Sequence, residues 1–334
     1  MGNVFQRVER IEEVTKIVFK CLKDDSLDIK KLTKAAKYCK NDLCSEIVYE
    51  FPELQGIMGG KYLKNEGFSE EVCLAVSEHY LPSFYKDVLP STKYGAIVSI
   101  ADKIETLISI FISGKRPSGS SDPYALRRNL NGVIKIIWDF EFDLSLENIF
   151  DELLDFWRIS LPNLKYIKEK VLDDLNEFLI QRIVSHLEEL SLDKEVIKAI
   201  CSSDELYKKR IINIVDLKNR VESIVLLKEK EEFDEIKSVI ARVSKLANSG
   251  NLGKDILLSR NYVDPDLFEK ECESKVFKFI GELEKIFFSG NWDYLKLFKL
   301  FEKNSNNIKD LFDNETGVLI MAQNQNIRNN RLNL

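Results

Sequence analysis

An all-α fold is the expectation for this chain, on three observations. Only 14 Gly and 7 Pro stand among 334 residues, too little turn chemistry for a many-stranded sandwich or barrel, which needs a turn every ten residues or so. Apolar residues recur at three- and four-residue steps over long segments, the signature of helices with one buried face. Strand-like alternation is nowhere sustained. With 44% hydrophobic and 31% charged residues, the composition is that of an ordinary globular protein, and the length suits two domains, each with its own core.

The elements follow in order. A first stripe runs over 5–22. Gly56, Gly59 and Gly60 are expected to form a tight turn rather than a phosphate cradle, because a P-loop ends in Gly-Lys-Ser/Thr after a strand and here Lys61-Tyr62 follows. Ile100, Ala101, Ile104, Leu107, Ile108 and Phe111 lay a stripe on a helix that ends before Gly114. Gly, Pro and Ser then cluster over 114–123, which places the expected domain boundary there: 1–115, a linker at 116–121, and 122–334. Asp122-Pro123 reads as a helix start, a capping carboxylate followed by a residue whose fixed φ suits the first helical position. Further stripes cover 144–161, 171–190, 211–227, 233–247 and 276–288, with a loop at 248–264 and a helix expected from Asp264-Pro265. Tyr124 and Trp138 read as core aromatics.

Several function classes are excluded. Six cysteines lie scattered without a Cys-x-x-Cys pair, beside only two histidines, which argues against a zinc cluster and a disulfide framework. The opening residues lack the apolar core of a secretory leader, and no stretch approaches the eighteen or so uncharged apolar residues of a membrane span. No Gly-x-Ser-x-Gly elbow is present. The net charge is −6, yet Lys115, Arg116, Arg127, Arg128 and Lys135 face Asp122 alone, Lys208 to Arg220 repeats that balance, and Arg328 and Arg331 stand in a tail without acids. Local basic patches on an acidic chain suit a protein that meets a polyanion on chosen surfaces, although each also suits a solvated helix face.

Ordered segments carry a family resemblance. Asp42-Leu43-Cys44-Ser45-Glu46-Ile47-Val48-Tyr49-Glu50-Phe51-Pro52-Glu53-Leu54-Gln55-Gly56-Ile57-Met58-Gly59-Gly60 resembles the signature of the β subunit of bacterial heterotetrameric glycyl-tRNA synthetase. Glu78-His79-Tyr80-Leu81-Pro82, Ala101-Asp102-Lys103-Ile104-Glu105-Thr106-Leu107 and Pro117 to Arg128 resemble it in the same order, as do Asp264 to Glu269, Val318 to Ala322 and Arg328 to Leu332. The resemblance is to the C-terminal part of that longer subunit, so the chain is expected to be a fragment of it. It implies a helical domain of the HD type, then an all-helical anticodon-binding domain of the type named for an Asp-Ala-Leu-Arg motif, here Asp122-Pro123-Tyr124-Ala125-Leu126-Arg127.

A working HD phosphohydrolase gathers His and Asp ligands around metal ions that activate water and neutralise phosphate. In this chain the resemblance sets Arg10 and Asn41 where histidines are wanted and leaves Asp42, His79 and Asp102 as plausible ligand positions, a degenerate site for which no metal is expected, since an amide is a feeble ligand and a guanidinium a competing charge. Read without the resemblance, His79 is a capping or partly buried imidazole, Asp102 one half of an ion pair, and His186 a helix-face histidine. RNA contacts are expected from Lys115, Arg116, Arg127, Arg128, Arg328, Asn330 and Arg331, with Arg127 or Arg331 equally able to pair with acids inside the fold.

The expected role is to hold glycine tRNA for a catalytic alpha subunit. ATP and Mg act through that subunit and no cofactor is expected in this chain, nor a membrane or DNA partner. The expected compartment is the bacterial cytosol, or an organelle stroma or matrix if an upstream segment is missing. The alternatives are a metal-dependent HD phosphohydrolase and a helical protein-binding scaffold.

Overall fold

Asn3 starts the first helix: its side chain accepts from the Gln6 amide while the Gln6 side chain accepts from the Asn3 amide, a capping box at the head of α1 (Val4–Leu22). The structure, a computed structural model, describes residues 2–83, 88–161, 163–190, 192–200, 213–247, 259–288, 293–313 and 315–334. There follow α2 (Ile29–Tyr38), capped by Asp28, a 3₁₀ turn at Asn41–Cys44, α3 (Glu46–Glu50), capped by Ser45, and a second 3₁₀ turn at Pro52–Leu54. Next come α4 (Ile57–Asn65), α5 (Glu70–Glu78), α6 (Lys93–Ile112), α7 (Leu126–Phe140), α8 (Leu146–Ser160), α9 (Lys168–Glu189) and α10 (Lys194–Ile200). The remainder is α11 (Ile214–Lys228), α12 (Phe233–Ala247), α13 (Glu271–Phe288), α14 (Tyr294–Leu311) and α15 (Gln325–Asn333), with short 3₁₀ turns at Ser259–Tyr262 and Pro265–Leu267. Among the described residues the one β pairing is an isolated bridge between Ser118 and Ser121. The expected all-α class is what the chain adopts.

The residues divide into two compact units, Met1–Lys218 and Asn219–Leu334. In the first, α6 is the axis. Ile97, Ile100, Ala101, Ile104, Leu107, Ile108 and Phe111 are buried as the stripe predicts, but Ser99, Asp102, Lys103, Glu105 and Ser109 are buried too. The helix is covered all round because α1, α5 and α7 all pack against it. The segment 116–121, expected to separate two domains, is the turn between α6 and α7. Beyond it α7 and α9 lie on α6, and α8 lies on α1, within the same unit. A short connection and a shared apolar face join these helices to the first half: Trp157 of α8 is fully buried, and its indole N–H donates to Ser109 Oγ of α6 at 3.2 Å.

Three local expectations change. Asp122 does cap α7, but from a preceding turn: its carboxylate accepts from the Leu126 and Arg127 amides at 2.8 and 3.0 Å, Ala125 takes a left-handed φ of 53°, and the helix opens at Leu126 rather than at Pro123. Asp264-Pro265 opens only a 3₁₀ turn, with the helix delayed to Glu271. Gly56 is a turn residue with φ +79°, but Gly59 and Gly60 belong to the first turns of α4, where they allow close contact with α5.

In the second unit, Cys272, Val276, Leu311 and Ile320 form one buried cluster, and Val239, Phe279 and Ile308 another. The terminal helix α15 is fastened there by polar groups. Asn330 accepts from the Asp264 amide at 2.6 Å and donates to the Asp264 carbonyl at 2.9 Å.

Candidate functional site

The charged residues of α6 each meet a partner from another element. Asp102 Oδ2 accepts from Lys40 Nζ at 2.7 Å, and Oδ1 from Arg7 Nη2 at 2.8 Å. Glu105 takes Arg7 Nε at 3.0 Å on one oxygen and Arg10 Nε at 2.9 Å on the other, and Ser109 Oγ donates to it at 2.8 Å. Lys103 Nζ donates to the Tyr80 and Leu81 carbonyls and to Ser99 Oγ. Lys40 also lies 2.8 Å from Nε2 of His79 and 3.7 Å from the centre of the Tyr80 ring. On the other side of the imidazole, Nδ1 is 2.6 Å from the Val76 carbonyl. A carbonyl only accepts, so Nδ1 carries the proton and Nε2 receives the ammonium N–H.

Burial and charge act together here. Burial alone would lift the Asp102 carboxyl, but Lys40 and Arg7 outweigh it and hold the group well below the usual carboxylate range. His79 is pushed well below its ordinary value by burial and then by Lys40, and so stays neutral. Burial lowers the Lys40 value, and Asp102, with Cys39 and Tyr80 beside it, more than restores it. Beside them the buried Cys39 thiol is pushed up to about 12, chiefly by burial, which makes it an inert core residue.

The resemblance sets the ligand positions of an HD-type metal site at Asp42, His79 and Asp102, and the residues present do not fit a metal. The Lys40 ammonium occupies the point on which His79 Nε2 and Asp102 Oδ2 converge, and Arg7 adds a second positive charge. Arg10 is buried and committed to Glu105, and Asn41 is exposed. Asp42 is buried but faces backbone: its Oδ2 accepts from the Gly56 and Gly59 amides at 2.7 and 3.1 Å, while Oδ1 has no hydrogen-bond partner among the described residues. Among the described residues no three His, Cys, Asp or Glu side chains gather in a way that could hold a metal. His79 is thus the C-cap residue of α5, its ring bonded to the Val76 carbonyl of the last turn and fully buried, and Asp102 is an inter-helix ion pair at the core rather than at the surface.

The basic residues fall into two groups. Arg331 is buried and bidentate to acids, with Nε 2.9 Å from Glu273 and Nη2 2.5 Å from Glu269, while Nη1 donates to the Leu319 carbonyl. Arg116 pairs with Asp174 at 2.6 Å and covers the Phe111 ring, and Arg328 donates to the Ala322 carbonyl. With Asn330 these serve the fold. Lys115 is exposed and donates to the Tyr124 hydroxyl, and Tyr124 is itself exposed rather than a core aromatic. Arg127 is half-buried and Arg128 exposed, both on the first turn of α7. Of the patch at 208–220, Lys208, Lys209 and Arg210 lie outside the described residues, and Lys218 bonds Glu141 and the Trp138 carbonyl.

A profile of the family described as "Glycyl-tRNA synthetase beta subunit" matches residues 1–202. The chain belongs to this family. Glycine–tRNA ligase beta subunits align along its whole length: that of Gloeothece citriformis is 32% identical, that of Trichodesmium erythraeum 34%, and that of Thermodesulfovibrio yellowstonii 35%. The alignments take up 47%, 47% and 45% of those proteins, so the chain spans about half the length of the curated relatives it matches.

For a member of the glycyl-tRNA synthetase beta subunit family, the polar core holds three residues that sequence reasoning passed over. Lys40 stands directly before Asn41-Asp42, where attention falls on metal-ligand types. Arg7 precedes Arg10 by one turn of α1, and that spacing signals that both reach the same face. Glu105 lies beside the apolar stripe of α6 and carries no sequence signal, because its burial depends on α1 and α8 closing that side.

Proposed function

We propose that the chain is the RNA-holding C-terminal part of a glycine–tRNA ligase beta subunit, with an HD-like helical module followed by an anticodon-binding module, working in the cytosol. On this reading it holds glycine tRNA while an alpha subunit forms the glycyl adenylate from glycine and ATP, with Mg, and passes the glycyl group to the terminal ribose. The observation that carries the reading is the alignment of the entire chain with proteins named glycine–tRNA ligase beta subunit. The geometry supports a holding role over a catalytic one: the charges around His79 and Asp102 satisfy one another. Lys115 and Arg128 are exposed beside the turn that opens α7, within reach of a phosphate backbone.

The test is a filter-binding titration of glycine tRNA against a second tRNA at several salt concentrations. Tighter binding of glycine tRNA is expected, with an affinity that falls as salt rises. Aminoacylation is expected only when the alpha subunit is added. Equal, salt-independent binding of both tRNAs would overturn the reading, and so would stoichiometric Mn, Fe or Zn accompanied by phosphatase turnover.

A further inference from the structure

The connection from α6 to α7 lies at the surface, yet it is tied down at both ends and across its tip. At the α6 end, Arg116 Nη1 donates to the Phe111 and Lys115 carbonyls at 2.6 and 3.0 Å, and Nη2 donates to Asp174 of α9 at 2.6 Å. Across the tip, Ser118 and Ser121 exchange backbone hydrogen bonds at 3.1 and 2.8 Å. At the α7 end, the Asp122 carboxylate holds the Leu126 and Arg127 amides, and its carbonyl accepts from the Ala125 amide at 3.1 Å. What this frame holds out to solvent is a pair. Lys115 and Tyr124 are both exposed, and the ammonium donates to the phenol oxygen at 2.6 Å. The ammonium is 5.0 Å from the ring centre, which sets it beyond the hydroxyl rim and leaves the ring face clear of it.

We propose that Tyr124 is a stacking platform for one unpaired base of a bound RNA, with Lys115 on the adjoining phosphate. This rests on the reading of the chain as an RNA holder, and it names the part of the RNA that meets this loop: a nucleotide outside a double helix, whose base has a free face. Every base gains from an aromatic face, so the contact needs no particular sequence. Lys115 has three N–H groups, of which the phenol takes one, and the phenol, accepting from the ammonium, keeps its own proton for an RNA oxygen. The tied backbone sets both residues in place before RNA arrives, so less ordering cost remains on binding. Tyr49 makes the contrast. It is exposed as well, but it stands between Glu46 and Glu50 with Glu53 following, all exposed, and those charges repel a phosphate.

The experiment uses the full chain and its Tyr124→Ala, Tyr124→Phe, Tyr124→Trp, Lys115→Gln and Tyr49→Ala variants, titrated from low to high salt with glycine tRNA, a second tRNA and a fully paired RNA duplex. Tyr124→Ala is expected to bind glycine tRNA roughly 5- to 150-fold more weakly, the range for one stacked base. The slope of its log affinity against log salt should stay unchanged, because stacking releases no counterions, whereas Lys115→Gln should make that slope shallower by roughly 0.7 to 0.9, the value for one phosphate contact. Tyr124→Phe keeps the ring and should bind like the unaltered chain, as should Tyr49→Ala. Duplex binding should not respond to Tyr124→Ala. Tyr124→Trp keeps a flat ring where alanine might disturb the loop, and its added indole is expected to lose fluorescence on saturation with glycine tRNA. Unchanged affinity of Tyr124→Ala for glycine tRNA would overturn the platform, and so would an equal loss on the duplex, in Tyr49→Ala or in Tyr124→Phe, or an indole that RNA leaves unquenched. If the unaltered chain binds both tRNAs equally but Tyr124→Ala weakens both, the platform stands and the glycine-specific reading falls. If the unaltered chain binds no RNA, both fall.

Discussion

The Nζ of Lys40 lies 2.8 Å from Nε2 of His79, and both groups are sealed from solvent. An ammonium there does what a divalent cation does in an HD centre, satisfying an imidazole and a carboxylate at once, but it offers no open coordination position for water or phosphate. The result is a polar pin between the 3₁₀ turn after α2, the end of α5 and the middle of α6.

Breaking the pin is expected to be expensive. Lys40→Met leaves His79 Nε2 without a donor and Asp102 with only Arg7. Removal of one partner of a buried pair costs about 3–5 kcal/mol. Lys40→Met combined with Asp102→Asn removes both charges and is expected to lose clearly less than the sum of the two single changes. Urea unfolding of the four proteins measures this coupling. Strict additivity would show that the ammonium and carboxylate do not act as a pair.

Arg331 makes a contrasting case in the second unit. Glu273 is fully buried and receives Arg331 Nε together with the Glu269 and Lys270 amides. Arg331→Leu leaves this carboxylate without its cation and is expected to cost about 3–5 kcal/mol in urea unfolding, with much of it recovered in the Glu273→Gln, Arg331→Leu double variant. Because the guanidinium points inward, the salt slope of RNA binding by the folded variant is expected to match that of the unaltered chain. A shallower slope would place Arg331 on the RNA.

What could be read from the sequence follows from how local each feature is. The stripe of α6 and the 233–247 helix were legible because a periodicity of 3.6 needs only neighbouring residues. The delayed start of α7 was not, because whether Asp122 caps from the first helical turn or from a turn before it depends on the left-handed Ala125. The pairing of Asp102 could be foreseen as an ion pair, but its partners come from residues 7 and 40, joined to it only by the packing of α1 and of the turn after α2. A basic run marks the segment around α7 but does not separate Arg116, which pairs with Asp174 58 residues on, from Arg127, half-buried on the first turn of that helix.

Gly60 tests whether the glycines of the signature segment serve packing. A Cβ there would lie 2.5 Å from the Cys73 carbonyl oxygen and collide with Ser77 Oγ. The carbonyl belongs to the α5 backbone and cannot swing away, so Gly60→Ala must push α4 off α5. A loss of about 1–3 kcal/mol is expected in thermal or urea unfolding. Gly60→Ala combined with Ser77→Ala should recover only part of it, since the backbone clash stays. An unchanged midpoint in the single variant would mean that the two helices are not held at this distance.

His186 predicts the acid side of the stability profile. Its ring is buried against Trp138, Nε2 has no hydrogen-bond partner among the described residues, and burial, followed by the charge of Lys135, lowers its pKa from 6.5 to about 4. In the unfolded chain the imidazole binds a proton below about pH 6.5. Between about pH 6.5 and 4 the unfolded state therefore holds more protons than the folded one, and stability falls as the pH is lowered through that window. The full difference amounts to about 3 kcal/mol at the lower end. His186→Phe keeps the aromatic contact without a titrating group and is expected to flatten the dependence of unfolding free energy on pH between 6.5 and 4, while any slope from carboxylates remains at lower pH. If the variant and the unaltered chain lose stability in parallel across that window, His186 is not held neutral in the fold.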